Sequence, residues 1–207
     1  MRNSLWLAVI GLSSLVGPVV AQTTGTPSFN APYRAFSKSE FGATLSFPKD
    51  ANFGIEGQYR FGYERFDLGF RGGLIDLGSG APSDFVLGAE GRTRVIQHTE
   101  SFPLDGAVVV GLGGNFIGSQ NGVGGASQAI ISGGLSLGRR VDPKDTQVSI
   151  VPYVEPTFYI TSGGGSTGGH FAFGLGADFR LSKLFDARVS AGLGDVQGIA
   201  FSAVWVH

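Results

Sequence analysis

The chain has 207 residues, a net charge of −1, 15% charged residues, 35 glycines and no cysteine. That length suffices for one domain or one barrel with a sizeable interior. The sparse, balanced charge excludes a nucleic-acid footprint, and the lack of cysteine excludes disulfides, thiolate metal sites, a cysteine nucleophile and a lipid-modified cysteine.

Residues 1–21 carry Arg2, an apolar run from Leu5 to Val16, a breaking Pro18 and small or apolar residues up to Ala21. This pattern predicts a cleaved signal peptide, cut after Ala21. The apolar run is shorter than the roughly 20 residues that span a bilayer as a helix, so membrane residence has to come from strands. Residues 22–39, rich in Thr, Ser and Pro without periodicity, read as a flexible leader to the strands that follow.

From residue 40 to 207 the period is two. Phe41, Ala43, Leu45 and Phe47 form the first apolar row. Residues 53–71 form a hairpin whose faces are clearest: Ile55, Tyr59, Phe61, Tyr63, Phe66, Leu68 and Phe70 lie on one side, with Glu56, Arg60, Asp67 and Arg71 on the other. The fourth strand sets Phe85, Leu87, Ala89 and Val95 against Glu90, Arg92 and Arg94. Strands follow at 107–116 and 129–138, then at 148–160, where Glu155 opposes Val154, Phe158 and Ile160. Pro152 and Pro156 in that seventh strand require local bulges, because proline normally marks an edge or an irregularity. The eighth strand sets Phe171, Phe173 and Phe179 against Asp178 and Arg180; the ninth sets Phe185 against Asp186 and Arg188; the tenth carries Phe201 and Trp205 to His207.

The predicted fold is therefore all-β, an antiparallel up-and-down barrel of ten strands, or eight if the first strand or the Pro152/Pro156 region fails to pair. Its connections sort by parity. Those at 48–52, 77–83, 119–127, 161–169 and 194–198 are glycine-rich and neutral, whereas those at 64–65, 97–105, 139–147 and 182–184 carry the charge. The aromatic residues gather toward strand ends, with Tyr63, Phe66, Phe179, Phe185 and Trp205 near one end and Phe158 and Phe171 at the other, as girdles at two bilayer interfaces would. A soluble barrel would place the apolar row inside and expose far more Lys and Glu, so the pattern favours a transmembrane barrel with a charged lumen.

The signal, the amphipathic strands and the terminal GIAFSAVWVH resemble the small outer-membrane β-barrel proteins of Gram-negative bacteria. The resemblance implies residence in the outer membrane with both termini periplasmic, contact with outer-membrane lipids, and recognition of the aromatic last strand by the barrel-assembly machinery. The chain departs from the family in ending Trp205-Val206-His207 rather than on Phe or Trp.

The charges predicted to line the lumen are Glu56, Arg60, Asp67, Arg71, Glu90, Arg92, Arg94, Glu155, Asp178, Arg180 and Arg188. They can interlock as a plug or line a narrow water path. A ten-stranded barrel lies near the closed limit, which tips the reading toward a plug, while frequent interior glycine argues for open space. His170, with Ser162, Ser166, Thr167 and Glu155 nearby in sequence or on the neighbouring strand, could serve a hydrolase acting on lipid A or peptides. A Gly/Ser loop preorganises nothing, so His170 reads as a rim histidine and the protein as a non-enzyme. His98 and His207 lie too far away to complete a metal site, and no cofactor is expected. The function expected is passive: structural support, surface interaction with a ligand the sequence does not specify, or a narrow pore.

Overall fold

The computed structural model describes residues 23–32, 38–78, 82–118, 126–144 and 146–207; the predicted signal peptide and residues 33–37 of the leader lie outside them. Ten strands follow one another: β1 (Glu40–Pro48), β2 (Phe53–Tyr63), β3 (Phe66–Asp76), β4 (Asp84–Ile96), β5 (Asp105–Ile117), β6 (Ala126–Gly138), β7 (Ser149–Gly163), β8 (Ser166–Arg180), β9 (Phe185–Gly194) and β10 (Gly198–Val206). Each pairs antiparallel with its sequence neighbours, and β1 pairs with β10 from Glu40↔Val206 to Pro48↔Gly198, closing the barrel. Closure leaves no unpaired edge, as a backbone surrounded by lipid requires. The last residue prolongs the seam, since the His207 amide donates to the Ser39 carbonyl at 2.9 Å and its ring lies 3.1 Å from the Tyr59 hydroxyl.

Alternation along the strands turns the usual protein inside out. Leu112 and Ile131 are 64% and 65% exposed on the outer face, whereas Glu40, Glu56 and Asp67 are 0%, 2% and 1% exposed within. In water that outer face would cost roughly 25 cal/mol for each Å² of apolar area, so its natural surroundings are lipid. The aromatic residues close both rims. Near one end, Tyr63 stacks on Phe66 at 4.9 Å, and Trp205 meets Phe41 at 5.6 Å and Phe185 at 5.0 Å. Phe179 approaches the same rim on β8. Toward the other end, Phe158 and Phe171 are cross-strand partners, and Phe85 and Phe116 lie 6.3 Å apart.

The end holding the start of β1 and the finish of β10 is termed here the terminal end, and the other the far end. The charged connections 64–65, 97–104, 139–148 and 181–184 all lie at the terminal end, as the parity of the sequence predicts. The far end is less neutral than its loops alone suggest, because strand ends and turns bring Asp50, Asp76, Asp84 and Asp195 there against the single Lys49.

Two local expectations are corrected. The prolines of β7 need no bulge, for the β7–β8 ladder keeps one register from Ser149↔Arg180 to Gly163↔Ser166. The Pro152 carbonyl accepts from the Arg139 amide on the β6 side at 3.2 Å, and in a strand the amide position points the same way as the carbonyl. Pro152 thus sits just past the last β6–β7 pair, Gly138↔Tyr153, and Pro156 falls where that ladder lapses between Gly134↔Thr157 and Leu137↔Val154. Each missing donor falls where no ladder bond is made. Among the described residues the register shifts instead on β4, between Arg94 and Ile96.

The predicted glycine/serine loop at 161–169 is strand almost throughout. β7 and β8 run on to a turn made by Gly164 and Gly165 at φ 59° and 82°. Consecutive positive φ values are what a two-residue hairpin turn requires, and glycine adopts them without steric cost.

Candidate functional site

The principal departure from the sequence reading lies inside the barrel. Thr23–Pro32, which composition marks as part of a flexible leader, lies buried in the lumen. Pro32 sits beside Gly138 at the terminal end, and Thr23 packs against Gly88, Gly111 and Gly113, four to six residues in from the far end. Such a segment of short polar residues cannot form a core of its own. It can be dissolved in a polar lumen that offers partners to its backbone.

Those partners come from six strands. Glu56 on β2 accepts from the Thr26 hydroxyl at 2.6 Å. Arg71 on β3 and Arg92 on β4 donate to the Ser28 and Ala31 carbonyls at 3.1 and 2.7 Å. Ser136 on β6 and Tyr153 on β7 donate to the Asn30 and Phe29 carbonyls at 2.8 and 2.7 Å. Glu155 on β7 faces the Asn30 amide at 3.5 Å. On β9, the Ser190 hydroxyl donates to the Pro27 carbonyl at 2.7 Å and accepts from the Phe29 amide, while Arg188 reaches the Asn30 side chain at 3.3 Å. Phe29 is the apolar anchor, 2% exposed in a cluster with Val151, Tyr153 and Ala172.

Interior glycines supply the space. A Cβ on Gly88 would come within 2.6 Å of Thr23, and one on Gly174 within 2.3 Å of the Phe29 ring; the three nearest atoms at each of these positions belong to the segment. The open volume that glycine suggests is therefore occupied by the protein's own chain.

A second set of luminal charges joins strand to strand. Asp67 accepts from Arg60 and, at 2.9 Å, from Arg92; Arg60 also donates to Glu90 at 2.7 Å. Arg188 clasps Glu40 with two bonds of 2.9 and 2.7 Å and lies 3.2 Å from Asp178. Glu40, at 3.9 Å from Arg60, links the two clusters. Paired, hydrogen-bonded charges of this kind fill a lumen as a rigid network. Glu40 escapes sequence reading because it precedes the first apolar row, although it shares the parity of Gly42 and Thr44 on the inward face. Arg94 and Arg180 are half-buried, pointing inward at the terminal mouth.

His170 finds partners other than those its sequence neighbours suggest. Its Nε2 lies 3.3 Å from the Thr161 hydroxyl and its Nδ1 3.7 Å from Asp195, and its ring stacks on Tyr159 at 5.0 Å. Asp195 also accepts the Phe171 amide at 2.9 Å. Glu155 is engaged deeper in the lumen with Asn30, and Thr167 bonds Ser162 at 3.4 Å on the turn. The arrangement ties the far ends of β7, β8 and the β9–β10 turn together.

No family model matches the chain, and no curated protein matches its sequence. Solved structures resemble its fold. The β domain of the Bordetella autotransporter Brka aligns with a TM-score of 0.49 at 14% identity, covering 82% of this chain and 98% of that one. A de novo designed transmembrane β-barrel aligns at 0.40 and 14% identity, covering 85% and 99%, and the KdgM porin at 0.34 and 6%, covering 81% and 98%.

Proposed function

We propose that the chain is a passive outer-membrane barrel of a Gram-negative bacterium, closed by its own Thr23–Pro32 and serving as a structural or surface-interaction module rather than an open pore. The observation that carries this is the burial of ten successive residues along the lumen, bonded to six strands. The apolar exterior and the two aromatic rims support residence in a membrane. In this reading the terminal end is periplasmic, the barrel-assembly machinery reads β10, and the signal is cut after Ala21. That cut leaves Gln22 next to the buried Thr23. Substrate turnover is not part of the function: His170→Gln is expected to leave phospholipid and peptide hydrolysis at background.

Planar-bilayer recording of the refolded mature chain, from Gln22 onward, tests the proposal. Inserted protein without unitary current is the expected result. Steady current through the intact chain would overturn it and establish a narrow pore instead.

A further inference from the structure

The barrel grips Thr23–Pro32 mainly by features that any polypeptide carries. Five successive carbonyls, from Pro27 to Ala31, each accept a hydrogen bond from a different strand: from Ser190 on β9, Arg71 on β3, Tyr153 on β7, Ser136 on β6 and Arg92 on β4, at 2.7–3.1 Å. The Phe29 and Asn30 amides face Ser190 and Glu155 in return. Of the contacts described above, two go to polar side chains of the segment, Glu56 to Thr26 and Arg188 to Asn30. Every residue has a carbonyl, so donors spaced in this way recognise the path of a backbone before they recognise a sequence. Shape adds a preference. Gly111 and Gly113 abut Thr23 at one end of the path and Gly138 abuts Pro32 at the other, which excludes bulky side chains there. Phe29 occupies a wider place, among Val151, Tyr153 and Ala172 and over Gly174. Pro27 and Pro32 bring no amide that needs a partner.

We infer that the lumen is a binding site for an extended polypeptide supplied in trans, made of small residues around one aromatic side chain, and that Thr23–Pro32 is the occupant supplied in cis. The inference rests on the closure of the lumen proposed above. Being part of the same chain, the segment competes at an effective concentration on the order of millimolar. A free peptide therefore meets an occupied site, and a change that loosens the segment raises the apparent affinity for the peptide in proportion to the fraction of lumen vacated.

The test uses the full mature chain in micelles carrying Ser28→Cys, at a position 2% exposed while the segment is docked. The probe is the synthetic peptide TTGTPSFNAP, acetylated and amidated so that its ends are neutral. Saturating peptide is expected to speed thiol labelling about tenfold or more by taking the segment's place. The full chain with Phe29→Ala should bind a dye-labelled probe about tenfold or more tightly than the unaltered chain, at one peptide per barrel. Exchanging the probe's Thr, Ser and Asn residues for Ala or Gly should hold affinity within about tenfold, the scale of two hydrogen bonds. Exchanging its Phe for Ala should lower affinity about a hundredfold, the scale of a buried aromatic ring. Slow labelling that the peptide leaves unchanged, with no binding to either chain, overturns the inference and leaves the closure standing. Loss of binding by the exchanged peptide also overturns it, since the lumen would then read its own segment alone. Rapid labelling before any peptide is added removes the closure itself, and the site in trans with it.

Discussion

Two sets of luminal charges follow the same alternation along the strands yet do different work. Arg60, Asp67, Arg92, Asp178, Arg188 and Glu40 join strand to strand, whereas Glu56, Arg71 and Glu155 hold a segment that belongs to no strand. The cross-strand register separates them. Asp67 stands opposite Arg92, Asp178 opposite Arg188 and Glu40 opposite Arg60, so each charge meets its counterpart on the neighbouring strand. Glu56 stands opposite Thr44 and Gly73, Arg71 opposite Gln58 and Gly88, and Glu155 opposite Gly174. Facing glycine or neutral side chains leaves these charges room on the luminal side, and the segment fills it with the Thr26 hydroxyl, the Ser28 carbonyl and the Asn30 amide. Arg92 and Arg188 belong to both sets: Arg92 pairs with Asp67 and donates to the Ala31 carbonyl, and Arg188 pairs with Glu40 and donates to the Asn30 side chain.

The comparison can be broken most severely on the strand-to-strand side. Glu40→Leu strips Arg188 of its two short bonds but leaves it Asp178, and should lower barrel stability by about 3 kcal/mol, the low end of the cost of breaking a buried ion pair. The denaturant midpoint of the refolded barrel in lipid measures it, and an unchanged midpoint would mean that the network contributes little.

On the segment side the barrel should survive while the lumen opens. Deleting residues 23–32 is expected to leave β-sheet circular dichroism intact and to turn a silent barrel into one with steady unitary current. A milder version places a side chain where the segment is the nearest obstacle: Gly88→Val with Gly174→Val should displace Thr23 and Phe29 and give intermittent current.

Phe29→Ala sharpens the contrast further. Removing this anchor should weaken segment docking by about 3 kcal/mol, as large-to-small changes at buried aromatic sites do, without shifting the barrel's own midpoint. Because the chain has no cysteine, a single Ser28→Cys reporter can follow this as faster thiol labelling. The smallest effect belongs to Glu56→Gln, which keeps a hydrogen bond to Thr26 and should change docking by about 1 kcal/mol.

Much of the barrel was legible because a strand's period of two prints its faces directly onto the sequence. The ten strands, the sorting of charged turns to one end and the inward parity of Glu56, Arg60 and Asp67 all follow from that period. The errors arose where a local rule met a non-local partner. Pro152 and Pro156 suggested bulges, but their missing donors fall where β6 has no ladder bond to offer. The Gly/Ser run around Gly164 looked like a loop, but cross-strand pairing carries both strands to a two-residue turn. His170 acquired Thr161 and Asp195 instead of Ser162 and Ser166, because pairing with β7 and β9, not nearness in sequence, brings groups to its ring.

The sequence by itself determined the strands, the apolar exterior and the polar interior, since these depend only on which residues alternate and on what lipid and water tolerate. Tertiary structure alone decided what fills the interior. Thr23–Pro32 has no periodicity and no apolar face, and its burial depends on carbonyl and amide partners from six strands up to 163 residues away in sequence. Whether a glycine-lined lumen is empty or occupied depends on groups that only closure of the barrel brings within hydrogen-bonding distance.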